Sequence, residues 1–289
     1  MSSKLILGTV QFGLKYGINN TIGKPKKDEV LSLLKVAYSS GIRVLDTAEA
    51  YGNAHQLIGN YHKEQNNFKF KIITKFPHQI KHNSIRSKVL EYLDLMNVNT
   101  VDVMMFHSFD SFQSNYNSLN TLNELKSDGL ITNIGVSVYT NAQLESLLNE
   151  DLITVVQLPF NLLDNFSVRG DLINKLKGKG KRIHTRSAFL QGLFFKKITD
   201  NLSIVQALKS HLKTLNKIAK KQGCSMEELA LSYCIKQNNI DNVIIGVDSI
   251  SQLNANIKAA AYEVNEEALK YVNNITVENL DFLNPSLWK

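Results

Sequence analysis

The chain has 289 residues, 43% of them hydrophobic, with four Pro and fifteen Gly, a composition that excludes collagen-like and broadly disordered proteins. Its 33 Lys and Arg against 26 Asp and Glu indicate anionic ligands without separating nucleic acids from phosphorylated small molecules. No apolar run suits a secretory signal or a bilayer crossing, and Cys224 and Cys234 form no CxxC pair, so we expect a cytoplasmic protein without membrane contact or a disulfide framework.

Short apolar or β-branched runs alternate with longer amphipathic segments along the whole chain. Eight of the short runs predict strands, at Leu5–Val10, Arg43–Ala48, Lys71–Phe76, Val101–His107, Ile131–Val138, Val155–Phe160, Arg182–Ala188 and Asn242–Val247. The amphipathic spacing between them predicts helices at Asp28–Ser40, Ser84–Met96, Asn115–Lys126, Asn141–Leu148, Val168–Lys177, Val205–Lys221 and Ser251–Ala260. Ser225 and Glu228 are typical of a capping box, which predicts one more helix before the last strand.

The number and order of these units predict the fold class. Eight strand–helix units without a linker rich in Pro, Gly or Ser favour a single-domain (β/α)8 TIM barrel over residues 1–289, rather than two doubly wound sheets. A Rossmann domain would need a GxGxxG fingerprint, which the sequence lacks. Gly8 and Gly13 have the spacing of a P-loop, but Leu14 and Lys15 follow in place of Lys and Ser or Thr, so we exclude that motif.

Polar residues stand at the carboxyl ends of several predicted strands, where barrel enzymes place their active sites. Asp46 ends the second strand, with Tyr51 in the following loop, Lys75 lies at the end of the third and His107 ends the fourth. Taken singly, a buried Asp–Lys ion pair and a hydrogen-bonded structural histidine would explain these residues equally well. Because they converge from three adjacent strands and would be costly to bury without partners, we favour a functional site.

These four side chains suit the reduction of a carbonyl group. A tyrosine with a pKa of about 10 exchanges its proton slowly at neutral pH, and a nearby ammonium group lowers that pKa. We therefore expect Tyr51 to act as the acid, Lys75 as its electrostatic partner and Asp46 as the anchor of the lysine. His107 would orient the substrate carbonyl by a hydrogen bond.

The segments around these residues resemble the aldo-keto reductase superfamily. They follow the order found in that family and extend over nearly the whole chain: Gly41–Asn53 with its DTAEAYG sequence, Ile73–Phe76, Val101–Ser108, Ile134–Ser137, Val155–Asn161 and Val243–Gly246. The resemblance implies a nicotinamide dinucleotide bound across the barrel mouth without a Rossmann domain. It also assigns the catalytic roles to Asp46, Tyr51, Lys75 and His107.

The same resemblance implies a set of cofactor-binding residues. Ser137 and Gln157 would hold the carboxamide, backbone around Phe189, Gly192 and Leu193 would face the pyrophosphate, and the Gly246–Asn256 segment would hold the adenosine. The full expected set is Gly8, Thr9, Asp46, Ser137, Gln157, Arg186, Ser187, Phe189, Gly192, Leu193, Gly246, Asp248, Gln252 and Asn256.

Some positions depart from the family pattern. Val138 replaces a frequent Asn, and Arg186 replaces the aromatic residue that commonly stacks on the nicotinamide, although a guanidinium plane can stack as well. Gln252 stands where many NADPH-using members carry an Arg, and Asp248 is acidic, whereas a 2′-phosphate pairs best with Arg. The habit of the family favours NADP(H), with NAD(H) as the alternative.

We expect a small-molecule carbonyl substrate. The run Leu7–Ile18 resembles a subgroup linked to surface-polysaccharide or nucleotide-sugar pathways, and the short loop after the fourth strand implies an open mouth suited to a keto-sugar or nucleotide-sugar. The basic run Lys175–Arg182 falls at the bottom of the barrel and lacks aromatic residues, so we expect no nucleic-acid partner. The histidines match neither HExxH nor HxH, so no metal site is predicted.

Two alternatives remain open from the sequence. The chain could bind the cofactor as a regulatory or subunit protein with little turnover, or it could act as a sugar dehydrogenase or epimerase with the same residues. The sequence does not give the oligomeric state.

Overall fold

Eight parallel strands close into a barrel in the computed structural model, which describes residues 4–21 and 23–288. Each strand pairs with its neighbours in chain order, and the first also pairs with the last. They are β1 (Leu5–Gly8), β2 (Val44–Asp46), β3 (Lys71–Lys75), β4 (Val101–Phe106), β5 (Ile131–Ser137), β6 (Val155–Pro159), β7 (Arg182–Arg186) and β8 (Asn242–Gly246). The predicted (β/α)8 TIM barrel is confirmed, and residues 1–3, 22 and 289 of the predicted domain lie outside the described residues.

All eight predicted strands are present, and each ends one or two residues earlier than the sequence predicts. The reason is that burial continues past the last ladder residue. Phe76 follows β3, is fully buried, and still donates its backbone N–H to the Met105 carbonyl at 3.0 Å. His107, predicted as the last residue of the fourth strand, is the first residue of the loop after β4. A prediction based on apolar residues alone therefore places the end of a strand too late, inside the loop that follows it.

Helices lie between and after the strands. They are α1 (Val10–Gly13), α2 (Lys27–Ser39), α3 (Ala54–Glu64), α4 (Ile85–Met96), α5 (Phe109–Ser114), α6 (Leu119–Ser127), α7 (Asn141–Ser146), α8 (Phe166–Gly178), α9 (Ser203–Ala207), α10 (Lys209–Gln222), α11 (Met226–Ile235), α12 (Ile250–Ala260) and α13 (Glu266–Asn273). The predicted helices are found, with two changes: Val205–Lys221 is divided between α9 and α10, and Asn115–Lys126 starts with a 3-10 turn. The Ser225–Glu228 capping box does open α11.

The sequence pattern does not predict four of the helices, α1, α3, α5 and α13. In α3, Gly59 lowers the intrinsic preference for a helix but permits close packing in the fold. A Cβ on Gly59 would lie 1.9 Å from the Leu95 carbonyl oxygen, so only glycine lets α3 approach α4 this closely. The same helix carries His55 and His62 on its buried side. The glycine thus serves packing rather than helix termination.

Strand alternation places two apolar layers on opposite sides of the barrel wall. One large core lies between strands and helices, and a smaller cluster fills the barrel interior with Ile6, Ile73, Val103, Met105, Val155 and Ile244. The charged residues Asp46 and Lys75 end their strands, at the carboxyl side of this apolar cluster. The basic segment Lys175–Arg182 leads from α8 into the start of β7, at the opposite end of the barrel. None of the helices in the described part of the chain has the length and apolar character needed to cross a membrane.

Candidate active site

A buried ion pair forms the centre of the site. Lys75 is 1% exposed at the end of β3, and its Nζ donates to Asp46 Oδ1 at 2.6 Å and to the Thr47 carbonyl at 3.2 Å. The second carboxylate oxygen of Asp46 accepts from Gln157 Nε2 at 2.8 Å. Burial lowers the pKa of Lys75, and the neighbouring Asp46 carboxylate opposes that shift. The two predicted strand-end charges therefore meet directly, held by an amide from β6 across the barrel.

Tyr51 lies beside this pair in the turn after β2. Its position depends on glycine, because a Cβ on Gly13 would lie 1.7 Å from the Tyr51 carbonyl oxygen. Lys75 Nζ is 5.6 Å from the centre of the Tyr51 ring. Burial, and then the Asp46 carboxylate, raise the pKa of Tyr51, while Arg186 counteracts them. The net shift of this pKa is upward, so Tyr51 keeps its proton at neutral pH, while the Lys75 ammonium faces Asp46.

His107 completes the cluster from the loop after β4. Its ring stands edge-on to Tyr51, with the ring centres 5.8 Å apart, and stacks on His78 at 5.0 Å. Its Nδ1 is buried without a hydrogen-bond partner among the described residues. Burial, followed by the neighbouring groups Lys75, His78 and Arg186, lowers the pKa of His107 to about 3. The ring is therefore a neutral imidazole at physiological pH, able to donate one hydrogen bond without carrying charge.

A long cavity starts at this cluster. Its volume is about 370 Å³, within the range of small-molecule sites, and it runs from Tyr51 past the loops after β1 and β7 to the start of α12. The predicted cofactor-binding residues that line it are Gly8, Thr9, Asp46, Gln157, Arg186, Ser187, Phe189, Gly192, Gly246, Asp248, Gln252 and Asn256. The structure thus brings the predicted residues of five strands and their loops to one continuous surface.

Two predicted cofactor residues do not line the cavity. Ser137 pairs in register with Gln157 but is buried outside the lining. Leu193 is fully buried in the hydrophobic core, because the chain reverses at Gln191 and Gly192, which both have positive φ angles. The surface that this segment gives to the cavity comes instead from Phe189, Gln191 and Gly192.

The loops after β1 and β7 touch each other across the cavity. Asn19 Nδ2 donates to the Gly192 carbonyl at 2.7 Å, and the Ile18 N–H donates to the Gln191 carbonyl at 3.2 Å. The β7 loop has left-handed backbone at Ser187, Leu190, Gln191 and Gly192. Several further residues line the cavity that the sequence does not predict: Gln11, Tyr16, Asn19, Asn20, Gln191 and Phe195 in the two loops and their adjoining helices, and Glu227 in α11. An aromatic and polar run in the glycine-containing first loop, at positions 16–20, was the available signal.

Arg186 is the one cationic side chain among the described residues that line the cavity. Its guanidinium carbon lies 4.0 Å from the centre of the Tyr139 ring, and Nη2 donates to the Val138 carbonyl at 3.3 Å. The Tyr139 carbonyl accepts from Arg169, which is itself held by a buried ion pair with Asp164 at 2.6 Å. The loops after β5 and β6 therefore hold the ring on which Arg186 stacks.

The opposite end of the cavity is formed by the start of α12. Ser249 caps this helix by accepting from the Gln252 N–H at 3.2 Å. Gln252 Oε1 accepts from the Asp248 N–H at 2.8 Å, and Asn20 Nδ2 donates to Asp248 Oδ1 at 3.0 Å. The Asp248 carboxylate is thus fixed at the cavity wall by neighbours on both sides.

The lining suits an extended dinucleotide. Gly246 presents bare backbone, and a Cβ there would lie 2.4 Å from Gln11 Nε2. Gln11 Oε1 is buried with no hydrogen-bond partner among the described groups, so an acceptor is available inside the cavity. Glycine backbone, amide groups and one guanidinium form a donor set that matches phosphates and a carboxamide. Residues 4–21 and 23–288 contain no cluster of three His, Cys, Asp or Glu side chains able to hold a metal ion.

Comparison with known proteins agrees with this geometry. The model of the Aldo/keto reductase family matches residues 4–276. The L-glyceraldehyde 3-phosphate reductase of Escherichia coli strain K12 is 24% identical over 268 residues, which cover 79% of this chain and 78% of that protein.

Two solved structures show the same fold. The aldo-keto reductase AKR11C1 from Bacillus halodurans, in its holo form, has a TM-score of 0.79 and 19% identity over 96% of this chain and 93% of that one. The glycerol dehydrogenase AKR11B4 from Gluconobacter oxydans has a TM-score of 0.74 and 19% identity over 98% of this chain and 93% of that one.

Proposed function

The chain belongs to the aldo/keto reductase family of oxidoreductase enzymes, and we propose that it reduces the carbonyl group of an aldehyde, ketone or keto-sugar to an alcohol. A nicotinamide dinucleotide bound in the cavity would supply the hydride. The catalytic residues in this proposal are Asp46, Tyr51, Lys75 and His107. We further propose that residues 1–289 act as one domain in the cytoplasm.

Each of these residues has a part that follows from its surroundings. Tyr51 keeps its proton in the buried site and donates it to the carbonyl oxygen as negative charge develops there. The Lys75 ammonium stabilises the resulting phenolate, and Asp46 holds that ammonium at 2.6 Å. Neutral His107, edge-on to Tyr51, orients the carbonyl by a hydrogen bond.

The observation that carries the proposal is the buried Asp46–Lys75 pair directly beneath Tyr51. A buried ion pair adds little net stability, because desolvation offsets most of its attraction. Such a pair at the mouth of a barrel, beside a tyrosine and a neutral histidine, is therefore better explained by chemistry than by folding. The same convergence argues against a regulatory or subunit role without turnover.

The proposed substrate is a polar carbonyl compound such as a keto-sugar or nucleotide-sugar. Two observations support it: the loop after β4 is short, since β4 ends at Phe106 and α5 begins at Phe109, and exposed Tyr16 and half-buried Gln191 are joined by a 3.0 Å hydrogen bond beside the cavity. The name of the Escherichia coli relative, an L-glyceraldehyde 3-phosphate reductase, also points to a sugar-like carbonyl. Faster turnover of small aromatic aldehydes than of keto-sugars would contradict this substrate class.

Replacement of Tyr51 tests the mechanism. Tyr51→Phe should lower kcat by about 10²–10⁴-fold, the usual contribution of a positioned acid, and leave the dinucleotide dissociation constant unchanged. Turnover is followed by nicotinamide absorbance and binding by fluorescence titration. Tyr271→Phe, on the exposed surface of α13, is the matched control and should keep full activity. Retained turnover in Tyr51→Phe would overturn the assigned role, and tight cofactor binding without turnover of any carbonyl would favour the regulatory alternative.

A further inference from the structure

The charges of the cavity are unequal at its two ends. Arg186, the one cation among the described lining residues, lies at the catalytic end beside Tyr51. At the far end the charged lining residues are Asp248, before α12, and Glu227, in the first turn of α11. A dinucleotide with its nicotinamide at Tyr51 must place its adenosine at this far end. The adenosine ribose therefore meets carboxylates and amides rather than a cation.

Asp248 is prepared to accept a hydrogen bond. Its Oδ1 accepts a hydrogen bond from Asn20 Nδ2 at 3.0 Å, and its backbone N–H donates to Gln252 Oε1 at 2.8 Å. These contacts join the loop after β1 to the start of α12 and hold the carboxylate against the cavity. A carboxylate fixed in this way accepts well from a ribose 2′-hydroxyl, which is how many dinucleotide sites recognise NAD.

A 2′-phosphate has the opposite requirement. It carries nearly two negative charges at pH 7 and binds best to Arg or Lys. In this cavity it would meet the Asp248 and Glu227 carboxylates, and like charges brought together weaken binding strongly. The excess of positive charge in the whole sequence does not change this, because it is not located at this end of the cavity.

We propose that Asp248, supported by Gln252, makes the enzyme select NAD(H) over NADP(H). The inference rests on the proposed function, because it presupposes that a nicotinamide dinucleotide binds here. It runs against the habit of the family, which favours NADP(H), and it assigns cofactor choice to residues at the start of α12.

The test is the dissociation constant of each dinucleotide, measured by fluorescence titration with NADH and NADPH. The unmodified protein should bind NADH at least about tenfold more tightly than NADPH. Gln252→Arg should tighten NADPH binding. Asp248→Asn should weaken the binding of NADH and tighten the binding of NADPH. Asn254→Arg is the matched control, since it adds the same charge to an exposed position of α12 outside the cavity lining. This control should leave the ratio of the NADH and NADPH dissociation constants unchanged.

The outcomes separate the two proposals. Equal or tighter binding of NADPH by the unmodified protein would overturn the NAD(H) preference and leave the reductase proposal in place. An equal shift of the ratio in Asn254→Arg and Gln252→Arg would overturn the role of this end of the cavity, because a general charge effect would explain it. Binding of neither dinucleotide would overturn the proposed function and this inference with it.

Discussion

The cavity is walled at its catalytic end by the ends of strands and at its far end by loops and the start of α12. Lys75 and Asp46 sit on paired strands, almost fully buried, with their charges satisfied by each other and by Gln157. Asp248 and Gln252 are more exposed, and they are held by each other, by Ser249 in the cap of α12 and by Asn20 in the loop after β1. Strand register determines the positions of Asp46 and Lys75, whereas loop geometry determines those of Asp248 and Gln252. The catalytic residues can therefore be retained while the residues that select the cofactor change.

Removing one partner of the buried pair should give the largest loss of stability. Asp46→Asn leaves the Lys75 charge buried without its carboxylate, and we expect the free energy of unfolding to fall by about 3–5 kcal/mol in urea denaturation. The double variant Asp46→Asn with Lys75→Met should recover most of that stability, because no uncompensated charge remains, while it stays without activity.

The far end supplies the contrast for this prediction. Asp248→Asn removes a carboxylate that is only partly buried, and its effect on unfolding should be below about 1 kcal/mol. If the two Asp→Asn variants lost equal stability, the two ends of the cavity would not differ in the way that their burial indicates.

The same contrast explains what could be predicted from sequence. Asp46 and Lys75 were predictable, because a charge that ends an apolar strand in a barrel must lie at the mouth. The run at positions 16–20 could have indicated that the first loop belongs to the site, but the places of Asn19, Asn20 and Glu227 at the cavity were not predictable, because they depend on how the segments pack around it. The β7 loop shows the difficulty: Ser187 and Gln191 adopt left-handed backbone, which no rule for non-glycine residues predicts.

Side-chain electrostatics were also beyond sequence reasoning. The raised pKa of Tyr51 depends on its burial and on the Asp46 carboxylate, neither of which spacing alone can measure. Likewise, Leu193 lies within the predicted cofactor segment, but the turn at Gln191 directs its side chain into the core. A motif therefore identifies a segment, and only the fold decides which residues of that segment face the ligand.

Buried histidines near the catalytic end should make stability depend on pH. Burial lowers the pKa of His55 and His184 to about 4 and that of His107 to about 3, below the unfolded value of about 6.5. Between pH 6.5 and 4 the unfolded chain therefore takes up protons that the folded protein does not. The contribution of these histidines to the free energy of unfolding is fully present above pH 6.5, and it should decrease by about 1.4 kcal/mol per pH unit for each histidine as the pH falls toward 4.

His184 isolates one of these contributions. It is 2% exposed inside the barrel, and neither ring nitrogen has a hydrogen-bond partner among the described residues. After burial, the charges that act on its pKa are those of Arg182, Asp46, Asp241 and Lys75. His184→Leu should reduce the slope of stability against pH by about 1.4 kcal/mol per unit, measured by urea denaturation from pH 4 to 8. An unchanged slope would contradict the assignment of a lowered pKa to this residue.

A change in the β7 loop should affect stability less than a change in the buried ion pair, and it should affect binding as well. Gly192 has a φ of 92°, and a Cβ there would lie 2.5 Å from Asn19 Nδ2. Gly192→Ala should lower the free energy of unfolding by about 1–2 kcal/mol because left-handed backbone is unfavourable for alanine. It should also weaken dinucleotide binding in fluorescence titration, since Asn19 must move away from the cavity wall.

Gly178→Ala is the control that separates backbone strain from loss of glycine as such. Gly178 ends α8 without a positive φ, and no atom lies within 4 Å of its Cβ position. Alanine there should raise stability by about 0.4–1 kcal/mol by restricting the unfolded chain, with dinucleotide affinity unchanged. If Gly192→Ala bound the dinucleotide as tightly as Gly178→Ala, the contact between the β1 and β7 loops would not shape the cofactor site. In that case the loops would determine which dinucleotide is bound but would not determine how tightly it is bound.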